Sequence, residues 1–247
     1  LIGTKVVGGA TVPDTVMTIA DILDRRDDRL VQTIDTALSY VQRGFTRFNS
    51  GISNTSSTGY GVSKYDNEEL ENMYRNQTTQ NFTHAPIFWL APVYLQYAEA
   101  SAELGSITQA DLDKSINLLK ERAGLPALTV DVGFDDPANN MGVSALIWEI
   151  RRERRVELMF DNWMRYWDLI RWHQLDKLDS NEYPDVLLGA NIVNDPDNRA
   201  VSRVGNYIDA SKGKKRTFDT KHYWYPIPSD QISLNDKLQQ NPGWKSN

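Results

Sequence analysis

The chain has 247 residues, 40% of them hydrophobic and 24% charged, with a net charge of -6. That length builds one large domain or two small ones around a real core, and the usage is globular rather than disordered. Cysteine is absent, which excludes disulfides, thiol nucleophiles and thiolate metal sites. The acidic balance confines any nucleic-acid footprint to a local patch. Outside one arginine-rich stretch the only compact basic run is SKGKKR (211–216), a weak signal in a loop.

The longest apolar run, APIFWLAPVYLQYA (85–98), is too short to cross a bilayer and is broken by Pro92. No signal peptide opens the chain, and its start, LIGTKVVGGATVPDT, lacks an initiator methionine. It reads as the middle of something larger.

In chain order, residues 1–15 read as loop or strand, and 15–44 as short helical pieces with Gly44 as a stop. Residues 45–66, FTRFNSGISNTSSTGYGVSKYD, are rich in Gly, Ser, Thr and Asn and carry aromatics. They predict a long loop, and loops of that length inside a domain are commonly functional. FWLAPVYLQYAEASAEL (88–104) predicts a helix ended by Gly105, with Pro92 tolerable only in its first turn. TQADLDKSINLLKERAGLP (108–126) predicts another, capped by Thr108 with Asp111 three residues on. It buries Leu112, Ile116 and Leu119 and stops at Gly124. Together these two form an antiparallel helical hairpin. Residues 127–143 read as loop, and 144–175 as one long helix. Residues 176–222 read as irregular; an extended segment, a Pro-Ile-Pro turn, a brief helix and a tail close the chain.

RRERRVELMFDNWMRYWDLIRW (151–172) holds six arginines, four acids and three tryptophans. On a continuous helix advancing about 100° per residue, Val156, Phe160, Trp163, Trp167 and Ile170 form one apolar stripe. Arg154, Glu157, Asp161, Arg165 and Asp168 form the opposite, charged one. Such a helix is expected to be buried on both faces, with Trp163, Trp167 and Trp172 in the core, together with Trp89, Trp148, Trp224 and Trp244. Asp161–Arg165, Arg165–Asp168 and Arg154–Glu157 are spaced to pair along it. A catalytic reading of Glu157 and Asp161 fails on chemistry: an arginine one turn from each acid keeps both ionised, whereas a general acid needs a protonated carboxyl. The stretch is read as a structural ion-pair network.

The spacing Glu153-Arg154, Glu157-Leu158, Asp161, Arg165, Asp168-Leu169, Arg171-Trp172 resembles the signature helix of the SusD/RagB-type nutrient-binding outer-membrane lipoproteins. VYLQYAEASAELG (93–105), INLLKERAGLP (116–126), YPIP (225–228), QNPGW (240–244) and DDRLVQTI (27–34) resemble further motifs of that family, in the same order. The resemblance spans about residues 20–244. The chain departs from it at Trp89 and Pro92, where Arg and Glu are common, at Asp161-Asn162 for Glu-Gly, and at Asp28 for a proline. None of these departures bears on ligand choice.

The resemblance implies a mostly α, SusD-like fold: tetratricopeptide-like helical hairpins with long irregular loops, as the C-terminal part of a larger protein that ends naturally near Asn247. Residues 1–247 then form a single region, loop-rich over 1–86, helical over 87–175, with an irregular closing segment over 176–247. It further implies non-catalytic capture of a glycan at the outer face of the outer membrane and delivery to a TonB-dependent, SusC-like transporter. The lipid anchor would lie in an N-terminal portion outside this chain. Peptide capture, or a helical scaffold binding only protein, are the alternatives.

Sugar rings stack their apolar faces on aromatic rings while their hydroxyls need directional polar partners. The aromatic and amide side chains of the long loop and its flank fit that chemistry, and Phe45, Phe48, Asn54, Tyr60, Tyr65 and Tyr74 are the expected ligand residues. Asn49, Lys64, Arg75, Asn76, Phe82 and His84 lie near them. No cofactor is expected. His84, His173 and His222 lack metal-ligand spacing. Asp131, Asp135 and Asp136, and Asp195 and Asp197, suit turns better than a calcium loop. Three Asn-x-Ser/Thr triplets, at Asn54, Asn76 and Asn81, carry little weight in a bacterial protein.

Overall fold

A computed structural model describes residues 4–7, 10–13, 26–34, 58–65, 67, 69–71, 74, 82, 84, 86–161, 163–191 and 202–245. The chain is mostly helical with little strand. An N-terminal hairpin pairs β1 (Thr4–Val7) with β2 (Ala10–Pro13). Helix α1 (Asp28–Thr33) is capped by Asp27, whose carboxylate accepts from the Arg29 amide. Phe45, Phe48 and Asn54 lie outside the described residues, as does Gly44.

The central unit is helical. Helix α2 (Leu90–Glu103) carries Pro92 in its first turn, where no intrahelical N–H is needed. Its inward face repeats at helical spacing through Ala91, Leu95 and Ala98, the last two with no exposed surface. Gly105, at φ +67°, takes the left-handed conformation that ends it. Thr108 and Asp111 form a reciprocal capping box at the start of α3 (Gln109–Asp113). The expected single helix 108–126 breaks at Lys114–Ser115 into α3 and α4 (Ile116–Arg122). Ser115 Oγ donates to the Asp111 carbonyl at 2.5 Å, competing for that backbone acceptor at the break. Leu112, Ile116 and Leu119 still reach the core. The loop after α4 is tied down by buried Asn117, whose side chain both accepts from the Leu128 amide (2.7 Å) and donates to its carbonyl (3.0 Å).

Helix α5 (Ala145–Glu157), capped by Ser144, packs across α2 and α4. Ala91, Leu95, Ala98, Leu112, Ile116, Leu119, Leu128, Ile150 and Leu158 make the core between them. Burying the leucine and isoleucine side chains among them stabilises the fold by about 1.5–3 kcal/mol each.

The long helix expected over 144–175 does not exist. It ends at Glu157, turns through Phe160 (φ +65°) and Trp163 (φ +60°), and restarts as α6 (Met164–Arg171). The physical reason lies in the loop: Lys64 Nζ donates to the carbonyls of Glu157 (2.9 Å) and Met159 (3.0 Å), which the ended helix leaves free, and pairs with Asp161 at 2.9 Å. The turn changes the phase of the wheel. Phe160, Trp163 and Trp167 are 54%, 80% and 55% exposed instead of forming a core stripe, and Trp224 is exposed as well. Trp172 is buried, as expected.

The irregular stretch 176–222 contains short structure that periodicity does not reveal. Strands β3 (Leu188–Asn191), β5 (Tyr207–Asp209) and β4 (Arg203–Val204) form an antiparallel sheet in that spatial order. Short helix α7 (Ser229–Leu234) follows the Pro-Ile-Pro turn. The tail is pinned by Gln240, which bonds both backbone groups of Ile227 at 2.8 Å, and by Trp244, whose indole donates to the Trp224 carbonyl.

Candidate functional site

The arginine-rich stretch forms a three-dimensional ion-pair network, with partners other than those spaced along one helix. Glu99 on α2, 2% exposed, is its centre. It accepts from Arg151 Nε (3.0 Å), from both terminal nitrogens of Arg171 (3.0 and 2.7 Å) and from the Trp172 indole (2.7 Å). Burial raises the Glu99 pKa, but Arg171, Trp172 and Arg151 outweigh it, so the carboxyl sits below its ordinary value. Arg154 pairs with Asp168 at 2.8 Å across the α5–α6 turn rather than with Glu157. Asp161 pairs with Lys64, not Arg165.

A second cluster joins α1 to α5. Arg29 reaches Asp27 (2.6 Å), Glu153 (2.5 Å) and Glu157 (2.9 Å), and Arg122 also bonds Glu157 at 2.5 Å. Burial opposes the Arg29 charge, but these carboxylates more than compensate and raise its pKa. This cluster walls a cleft of about 650 Å³ whose lining includes Arg26, Asp28, Lys120, Phe134, Arg152 and Val156. Glu153 and Glu149 face it already paired with Arg29 and Arg152 respectively. The cleft presents these charged, paired groups beside the apolar side chains of Phe134 and Val156.

The described loop residues lie on this frame. The Thr58 carbonyl accepts from the Ala190 amide (2.7 Å), and a Cβ on Gly189 would overlap that oxygen, so only glycine permits the approach. Val62 bridges to Ile34, and the Ser63 amide donates to the Thr33 carbonyl. Tyr60 is half-buried. Tyr65 leaves its ring 41% exposed while its hydroxyl donates to Asp161. Burial first, and then Asp161, push the Tyr65 pKa up to about 12. Tyr74 is half-buried and packs on the exposed Phe82, ring centroids 5.3 Å apart. The structure thus places Tyr65 with Lys64 on the α5–α6 turn and Tyr74 with Phe82. His84 is exposed.

The structure also exposes aromatics that the sequence wheel hides. Trp163 and Trp167 are one turn apart on α6. Trp167 packs edge-on to Tyr166 at 5.6 Å, and the Tyr166 hydroxyl lies 3.1 Å from that of the exposed Tyr225. Only the positive φ of Phe160 and Trp163 turns this face outward. Asp161-Asn162, a turn-prone pair inside a helical pattern, is the one signal that reveals it in the sequence. Among the described residues no cluster of three or more metal-ligating side chains occurs, and no helix is long and apolar enough to cross a membrane.

A SusD family model matches residues 14–244. Solved structures agree. A SusD-like protein from Bacteroides fragilis, BF3747, is 28% identical, with a TM-score of 0.53 over 76% of this chain and 31% of its own. The structure named BT4246 is 26% identical, with a TM-score of 0.56 over 80% of this chain and 30% of its own. Its selenomethionine form is 25% identical at a TM-score of 0.55, over 82% and 32% respectively. No curated protein matches. The chain belongs to the SusD family and has a SusD-like helical fold. It spans about a third of the length of the solved structures it matches.

Proposed function

We propose that the protein captures glycans without chemistry at the cell surface and hands them to a TonB-dependent, SusC-like transporter. The observation that carries this reading is the family match over residues 14–244. In this reading the protein is held on the outer face of the outer membrane by a lipid anchor. Exposed aromatic rings beside polar side chains supply what a sugar needs: an apolar face to stack on and directional partners for its hydroxyls. The loop residues Tyr60, Tyr65 and Tyr74, with Phe45, Phe48 and Asn54, are the proposed ligand contacts. The outward rings of Trp163, Trp167 and Tyr225 offer a second stacking surface.

The test is affinity electrophoresis of the full-length protein through gels holding different soluble polysaccharides, with a Tyr60→Ala/Tyr65→Ala variant alongside. Retardation by one glycan that the variant loses supports glycan capture on the loop. Retardation that survives the variant but is lost in Trp163→Ala/Trp167→Ala moves the site to α6. A protein that no polysaccharide retards is not a glycan binder, and peptide capture then becomes the better reading.

A further inference from the structure

The network around Trp172 does not balance its charge. Three guanidinium groups stand over that one indole: Arg151 at 4.8 Å, Arg171 at 5.0 Å and Arg165 at 5.8 Å from the ring centroid. The nearby carboxylates are already engaged. Glu99 holds Arg151 and Arg171, Glu103 holds Arg151, and Asp168 holds Arg154 and Arg171. Arg165 is half-buried, yet has no carboxylate oxygen within salt-bridge distance among the described residues. Arg155, exposed one turn beyond Arg151 on α5, has none either. Buried Arg154 also leaves its Nη1 without a hydrogen-bond partner.

Lys177 completes the group from the short 3-10 turn after α6 (Leu175–Leu178). It donates to Asn140 at 2.5 Å and lies 5.8 Å from the Tyr183 ring centroid, with no carboxylate in salt-bridge contact among the described residues. Burial lowers its pKa, Asp176 opposes this, and the charges of Arg165 and Arg155 lower it further. Burial and then the Arg155 charge pull the Arg165 pKa down to about 10, against Asp168. Like charges held together in a partly desolvated site destabilise one another until an anion joins them. Guanidinium forks match the planar or trigonal oxygens of carboxylate and sulfate.

We propose that Arg155, Arg165 and Lys177 form an anion-binding subsite that takes a carboxylate or sulfate group carried by a bound glycan. Trp172 lies beside Arg165, and Asn140 and Tyr183 lie beside Lys177. The ligand class is thereby narrowed to acidic polysaccharides, such as those built from uronic acids or bearing sulfate esters. This rests on the glycan reading above.

The test uses the full-length protein at constant ionic strength. Its affinity for inorganic sulfate is measured by calorimetry, and its retardation by polygalacturonate is compared with that by a neutral dextran. The variants are Arg155→Gln and Lys177→Gln, with Lys214→Gln in the exposed 211–216 run as a control. Sulfate binding and preferential retardation by polygalacturonate are expected, each weakened on the order of tenfold by Arg155→Gln or Lys177→Gln and unchanged by Lys214→Gln. Equal retardation by charged and neutral polymers in every variant overturns the subsite and leaves glycan capture standing. Sulfate binding that depends on Arg155 and Lys177, with no polysaccharide retarded, keeps the anion site and removes its glycan. Indifference to sulfate and to the Arg155 and Lys177 substitutions overturns the subsite, as happens if a carboxylate elsewhere in the full-length chain already neutralises these cations.

Discussion

Replacing Glu99 by glutamine is expected to loosen the joint between α2, α5 and α6. The side chain is isosteric, so the change removes charge without making a cavity. The introduced amide retains a carbonyl oxygen for the Trp172 indole, but its nitrogen faces guanidinium donors that it cannot accept from. Breaking a buried ion pair from one side costs about 3–5 kcal/mol. Arg171 is close to half exposed and keeps Asp168, and Arg151 keeps Glu103, which argues for the low end, about 3 kcal/mol. For a unit of 150–250 residues that corresponds to a fall of about 6–12 °C in the melting temperature. The folded-state pKa of Glu99 is depressed, so its contribution is fully present above its ordinary value of 4.5 and is lost as the pH falls through the lower folded value. The gap between wild type and Glu99→Gln in calorimetric or urea unfolding is therefore widest at neutral pH and narrows in acid below 4.5. A gap under about 1 kcal/mol at pH 7, or one that stays constant into acid, would refute the view that the ionised carboxylate holds these helices together.

Lys64→Met leaves the Glu157 and Met159 carbonyls and buried Asp161 without their ammonium partner. We expect a loss of about 2–3 kcal/mol in urea unfolding, much of it recovered by Lys64→Arg. Asn117→Ala strands the Leu128 amide, while the Leu128 carbonyl keeps Gln109 as a donor, and should cost about 1–3 kcal/mol, with faster amide exchange at Leu128 as the local signature. In an ultraviolet pH titration Tyr65 should ionise late, near 12 against the ordinary 10.0, and Tyr65→Phe removes that late step. Because the folded pKa is the higher one, the Tyr65–Asp161 bond contributes fully below pH 10 and is lost as the pH rises toward 12. Trp163→Ala, at an 80% exposed residue, should shift stability by no more than about 0.5 kcal/mol, and Trp167→Ala by about 0.5–1.5 kcal/mol, since Trp167 also packs edge-on to Tyr166. A larger loss in the full-length protein would mean that the rest of the chain covers this face.

The sequence alone determines where the helices of the hairpin start and stop, though not the break at Lys114–Ser115. Local chemistry suffices there: Pro92 fits only a first turn, Thr108 and Asp111 satisfy each other's backbone, and Gly105 and Gly124 adopt the left-handed conformation that stops a helix. It also makes the family legible, through short motifs in order, and it offers the loop aromatics as candidate ligand residues, of which Tyr60, Tyr65 and Tyr74 fall among the described residues. Tertiary structure decides what depends on distant partners. A helical wheel assumes an unbroken phase, and nothing in the local pattern of 151–172 announces that Lys64 will capture the carbonyls at the end of α5. Once Phe160 and Trp163 take positive φ, the tryptophan stripe turns outward. Charge pairing behaves likewise. Spacing offers Arg165 to Asp161 and Asp168, but each carboxylate pairs with the cation that packing brings closest, leaving Arg165 without one among the described residues. Backbone preferences act over a few residues and are written locally, whereas ion pairs and burial are settled by which helix lies against which.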